Sequence, residues 1–313
     1  MIDYTEILRQ VRVALQADDY PAAIHGLEQA AQLAAESGDR AAEGRHLGNL
    51  ALLYYRTGAV ERALAYFEQA LANARAEDDR VTEDGLLGNI GNIMRELGRY
   101  DDAIAYLNQA LLIAQEIGDA RGRGIWLGNL ALVYDDLRMP EQAATLHEQS
   151  VHVARQLHDQ RGLALRLVNL GHSYLALGND LRALGAFEDA ALIYRELGDR
   201  AGLFGCLSLV GSLHNGLAQR ATTRAALMTH GQAAINGHRQ ALELALEFGD
   251  DGESAALLLA LGEISTLLGD VTNAVAYLES SARYYAVIGA DDQASILGEM
   301  IAGLRASQEP DAG

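Results

Sequence analysis

Lysine is missing altogether from these 313 residues. All 24 basic side chains are arginine, and they stand against 43 Asp and Glu for a formal net charge of -19. Without lysine there is no Schiff-base amine and no phosphate-binding lysine loop. Nucleic-acid binding runs mainly on cations that neutralise phosphates, so a chain of this charge is expected to have no nucleic-acid partner and no affinity for an anionic membrane surface. The single cysteine, Cys206, forms no internal disulfide, and one thiol supplies no metal cage. Prolines number three, Pro21, Pro140 and Pro310, and none falls where it would interrupt a helical pattern. No apolar run approaches the roughly 18 residues that a membrane span needs. The opening MIDYTEILRQ has acidic and polar residues where a signal peptide would be apolar. The expectation is a cytoplasmic protein.

What the chain does have is 50% hydrophobic residues and a repeat. LGNLAL occurs at Leu47 to Leu52 and again at Leu127 to Leu132, with LGNIGN at Leu87 to Asn92 halfway between. The period of 40 continues through Leu167 and Asn169, and a turn signal follows it through Asp39, Asp79, Asp119, Asp159 and Asp199. Asp250 lies 51 beyond Asp199, so one unit carries 11 extra residues.

Each unit reads as two helices. Leu47, Leu50 and Tyr54 follow the 3–4 spacing of a helix face, Thr57-Gly58 breaks it, and Ala63, Phe67, Ala70 and Leu71 restart it. Gly38, Gly118, Gly198 and Gly249 sit where a helix end needs a left-handed residue, and the Asp after each can accept from the free N–H groups of the next helix. Pro21 and Pro140 fall in a first turn, where a missing N–H costs nothing. Helix pairs are expected near 4–38, 40–78, 80–118, 121–158, 161–198, 200–249 (with an insertion at 217–230) and 251–289. A cap helix over 291–306 and a flexible tail at 308–313 complete one domain spanning 1–307, the end helices covering a stack that would otherwise expose an apolar face.

The spacing Leu50, Ala51, Tyr54, Gly58, Ala63, Phe67, Ala70 resembles the tetratricopeptide repeat, whose pattern runs L-G-x2-Y and then A-x3-F. It recurs as Ile90, Gly91, Met94, Gly98, Ala103, Leu107, Ala110, and as Leu170, Gly171, Tyr174, Gly178, Ala183, Phe187, Ala190. The 40-residue variant is similar to the repeats of Pins/LGN, kinesin light chain and bacterial regulators. The resemblance implies an all-α, right-handed superhelical solenoid of about seven pairs, with the first helix of each pair lining a concave groove that holds peptides.

Carried over by register, the groove residues are Asn49, Asn89, Asn129 and Asn169, with Leu52, Asn92, Leu132 and His172 one turn on, then Tyr55 and Arg95. A row of amides can hydrogen-bond the backbone of an extended ligand without reading its side chains. The alternative is that each Asn only bonds a neighbouring helix. Gly48, Gly88 and Gly128 either open the groove floor or serve tight helix packing. Some members of the family clamp a peptide carboxylate with basic groove residues, and here only Arg45 and Arg95 could do so; the alternative is that the groove arginines are solvated and pair with nearby acids such as Asp135 and Asp136.

No catalytic, metal or cofactor constellation is expected. His147 stands where other units have a packed Phe, and Cys206 and Trp126 fall on apolar helix faces. His230 and His238 are eight apart on one helix, with packing or surface roles. The functional reading is a non-catalytic scaffold binding a protein or peptide segment of unknown identity. The alternatives are a self-assembling structural protein, hence a homo-oligomer, and a peptide-sensing regulator. The insertion, with Arg220 and Arg224 on one helical face, is expected to prolong both helices of its hairpin and to contact an acidic partner surface or a second copy.

Overall fold

The first helix of each complete pair begins at an aspartate. Asp39, Asp79, Asp119, Asp159, Asp199 and Asp250 each accept a hydrogen bond from the backbone N–H three residues on, at 2.9–3.0 Å. Such caps are worth about 1 kcal/mol apiece. The preceding helices end on Gly38, Gly118, Gly198 and Gly249 in the left-handed conformation. Two units lack that glycine, and Asp78 and His158 adopt positive φ in its place.

The computed structural model describes residues 4–307, and among them all regular structure is helical. The tail at 308–313, with Pro310, lies outside the described residues. Contacts group the chain into two compact units, Met1–His158 and Asp159–Gly313.

The first unit holds α1 (Tyr4–Gln16), α2 (Tyr20–Ser37), α3 (Arg40–Arg56), α4 (Val60–Ala76), α5 (Arg80–Glu96), α6 (Tyr100–Ile117), α7 (Ala120–Asp136) and α8 (Pro140–Gln156). Connections of two or three residues force consecutive helices into antiparallel pairs. Each second helix packs both on its own first helix and on the first helix of the next pair, α2 on α3, α4 on α5 and α6 on α7. One continuous apolar cluster runs from Ile7 to Val133. Pro21 lies in the first turn of α2, and Pro140 opens α8.

The second unit holds α9 (Gln160–Ala176), α10 (Asp180–Leu197), α11 (Arg200–Gln219), α12 (Arg224–Phe248), α13 (Asp251–Leu267), α14 (Val271–Val287) and α15 (Asp291–Ala306). It packs in the same way, α10 on α11, α12 on α13 and α14 on α15. Among the described residues α11 is the one helix long and apolar enough to cross a membrane, and it is sandwiched between α10 and α12.

The repeat pattern has a steric basis. A Cβ built on Gly91, Gly171, Gly211 or Gly262 would stand 2.7, 2.6, 2.7 and 2.6 Å from Leu107, Phe187, His238 and Leu278 respectively. In these four pairs the glycine of the first helix is the seat for the large side chain of the second, and at the same register α3 and α7 carry the small residues Ala51 and Ala131. His147 and His238 occupy the position of Phe67 and Phe187, and both are buried.

The insertion lengthens α11 to 20 residues and α12 to 25, against 17 or 18 for most other helices of complete pairs. One expectation is corrected here. Arg220 and Arg224 do not share a helical face, because a turn at 220–223 separates α11 from α12. Arg220 also pairs inside the unit, with Asp180 at 2.5 Å, so the stretch is less basic than its sequence suggests.

Candidate functional site

On α3, Arg45, Asn49, Leu52 and Tyr55 follow each other at spacings of four, three and three residues, and so form one stripe along the helix. On α5 the same register holds Asn89, Asn92 and Arg95, and on α7 Asn129 and Leu132. These nine residues meet at two adjoining depressions. One, of about 280 Å³, is lined by Arg45, Asn49, Leu52 and Asn89. The other, of about 190 Å³, is lined by Leu52, Tyr55, Asn89, Asn92, Arg95, Asn129 and Leu132. Both share a floor at Phe67 of α4. Asn169 and His172 lie on α9 in the second unit, where Asn169 is half-buried and the His172 ring meets the Phe187 edge 5.2 Å away.

Asn49 is exposed, and Asn89, Asn92 and Asn129 are half-buried. Among the described residues none of these four amide side chains makes a hydrogen bond within the protein, so none ties its helix to a neighbour. Leu52, 40% exposed, keeps an apolar surface between Asn49 and Asn89. The stripe therefore offers donors and acceptors beside a hydrophobic contact.

The far end of the stripe is charged and largely self-paired. The Tyr55 hydroxyl donates to Glu96, and Arg95 Nη1 donates to Asp136 at 3.2 Å. The Nε of Arg95 is shielded from solvent and has no acceptor. Arg45 is exposed and has no ion-pair partner among the described residues. Of the two arginines, then, Arg45 is available to a ligand anion and Arg95 is half committed. The sequence placed Asp136 among the acids facing the groove arginines but gave no sign of Glu96. Both bonds join residues 41 apart, one more than the repeat, a spacing that was open to inspection.

The glycines beside the amides allow close packing, and Gly48 also lines the first depression. A Cβ at Gly88 would stand 2.3 Å from the Trp126 ring, at Gly48 3.2 Å from Leu86, and at Gly128 3.3 Å from the Ser150 hydroxyl. Trp126 fills the space over Gly88, and its indole N–H donates to Asp84 one turn earlier on α5, at 2.8 Å. His147 bonds Asp135 at 3.0 Å through Nε2. His230 meets His214 at 3.1 Å, a partner that the sequence did not suggest. Burial pushes the Cys206 thiol up to about 11, a poor nucleophile. Among the described residues no three His, Cys, Asp or Glu gather into a metal-ligand set.

A family model described as Tetratricopeptide repeat matches residues 5–76 and 83–156, and one described as Anaphase-promoting complex subunit 5 matches 164–217. No curated protein sequence matches the chain. Solved structures do. The C-terminal part of a TPR repeat-containing protein from Cytophaga hutchinsonii is 13% identical with a TM-score of 0.62, over 92% of this chain and 98% of that one. BtubC (BKLC) from P. vanneervenii is 21% identical with a TM-score of 0.61, over 78% and 92%. The apo form of the quorum sensor NprR from B. thuringiensis is 15% identical with a TM-score of 0.53, over 97% and 89%. At these identities the likeness is one of fold. With the family match over α1 to α8 and the same helix-pair packing within each of the two units, the chain has the tetratricopeptide repeat fold, and its residues 5–156 carry the repeats of that family.

Proposed function

We propose that this chain is a non-catalytic interaction module that holds an extended protein or peptide segment against the first helices of its pairs. The observation that carries this reading is the set of side-chain amides on α3, α5 and α7 that line two depressions and make no hydrogen bond of their own. A peptide backbone supplies the donors and acceptors that Asn49, Asn89, Asn92 and Asn129 lack. Leu52 and Leu132 would take an apolar side chain, Tyr55 and Arg95 would bound the site, and Arg45 would meet an acidic group. Asn169 and His172 offer the same register on α9. The 40-residue period continues without a break from Asp119 to Asp159 and Asp199, and we read the chain as one repeat array working in the cytoplasm. The NprR neighbour, called a quorum sensor, makes a peptide-sensing regulator a natural form of the same activity.

Replacing Asn49, Asn89 and Asn129 together by alanine should weaken capture of a partner from native lysate about tenfold or more, since each lost hydrogen bond is worth on the order of 1 kcal/mol. Circular dichroism should show unchanged helicity. Undiminished capture by the folded triple variant would sink the reading.

A self-assembling protein is the second reading. It is favoured by exposed apolar side chains at the end of the second unit, where Val287 is 72% and Ile296 58% exposed. Light scattering at several protein concentrations separates the two, because only self-assembly raises the measured mass.

A further inference from the structure

On α7, Leu127 and Asn129 lie roughly 160° apart around the helix axis, given 3.6 residues per turn. Turning from the amides to that opposite side leads to a second and larger concavity. It is a trough of about 830 Å³, open to solvent, between the second helices α6 and α8 with α7 beneath. Leu111 and Leu112 form one wall, Leu127 the floor and Val153 the other wall, and Leu112 is 57% exposed.

Arg123 also lines this trough, one turn before Leu127. Its Nε is shielded from solvent without an acceptor, and no acid of the described chain pairs with it. Glu148, the acid at the trough, is already engaged elsewhere. Arg95 has a similarly shielded Nε but reaches Asp136. Arg123 is thus a half-buried cation with one shielded N–H beside an apolar surface, in a chain whose 43 acids leave it unmatched. A shielded charged N–H without an acceptor is unfavourable, and a bidentate carboxylate is the group that satisfies it.

We propose that this outer trough docks an amphipathic segment of a partner protein that presents leucine-like side chains to Leu111, Leu112, Leu127 and Val153 and one carboxylate to Arg123. The open shape selects a polypeptide over a small carboxylic acid. A lone acyl chain lying in an open trough keeps much of its apolar surface wet, whereas a polypeptide covers the trough with the rest of its own surface. The site is separate from the amide stripe and stands or falls independently of it.

The probe is a random-peptide display library panned against the full chain, with enriched peptides resynthesised and titrated by fluorescence anisotropy. Enriched sequences should pair an Asp or Glu with large apolar residues three or four positions away. Arg123→Gln and Leu112→Asp should each weaken their binding about tenfold or more. Arg123→Lys, which keeps the charge, should weaken it less, and Asn49→Ala with Asn89→Ala and Asn129→Ala should leave it unchanged. Circular dichroism of each variant verifies folding. The proposal is overturned if no enriched peptide depends on Leu112 and Arg123, if Arg123→Lys costs as much as Arg123→Gln, or if sodium decanoate binds with that dependence while no peptide does.

Discussion

Two buried ionisable side chains respond to acid in opposite ways. Asp84 is 3% exposed, and burial pushes its carboxyl from 3.8 up to about 6, with Asp119 adding to the shift and the Trp126 indole opposing it. The fold favours the protonated form, so the stability it contributes is full below about pH 3.8 and is lost as pH rises through about 6. Asp84→Asn keeps an acceptor for the indole and removes the titration. At pH 7 it should raise stability in urea unfolding by about 1–3 kcal/mol and flatten the loss between about pH 4 and 6. His238 is 2% exposed, neither ring nitrogen has a partner, and burial alone pushes it from 6.5 down to about 4. Here the unfolded chain binds the proton first, so stability is full above about pH 6.5 and is lost as pH falls through about 4. His238→Phe restores the side chain of Phe187 to this register. It should stabilise the protein most at acidic pH, by about 1–3 kcal/mol near pH 4, and a variant as acid-sensitive as the parent would refute the assignment.

Among the elements, the long hairpin α11–α12 has a structural role of its own. Its extension builds a small cluster of Ala218, Ala234 and Ile264, with Leu227, Ile235 and Leu268 packed around it. Ile264 lies in the last turn of α13 and Leu268 caps it, so the extension covers apolar surface that a hairpin of ordinary length would leave wet. Removing residues 217–227 should therefore cost about 1–3 kcal/mol through exposure of that surface, while helicity per residue stays constant. Equal melting temperatures of the shortened and parent proteins would contradict this. The hairpin tip keeps Met228 exposed, and the same variant tests whether the tip also serves a partner or a second copy. Here element length was legible in the sequence, since the 11 extra residues predicted prolonged helices. The turn at 220–223 was not, because nothing in the pattern of alanines and arginines marks where one helix stops. Arg220 finding Asp180 on α10 depends on the packing of neighbouring pairs.

At the scale of the whole molecule, the 40-residue register placed Leu50, Phe67, Ala70, Ala103, Leu107 and Phe187 in the core, and all are at most 1% exposed. It also set the amides of Asn49, Asn89 and Asn129 on one side of successive first helices, because a periodicity of 3.6 residues decides which way each side chain of a helix points. Helix starts were equally legible, since an Asp cap acts on an N–H only three residues away. These properties are local, and the sequence by itself determined them. Other features depended on how far one helix is turned against the next and how far a side chain reaches. The Trp126 ring over Gly88 with its bond to Asp84, the Tyr55–Glu96 and Arg95–Asp136 bonds, the His214–His230 pair and the shielding of Arg123 in an outer trough all join different helices. Spacing along the chain sets the direction of a side chain but not the distance between two helices, so only the tertiary structure decided which of these polar groups found a partner within the protein and which did not.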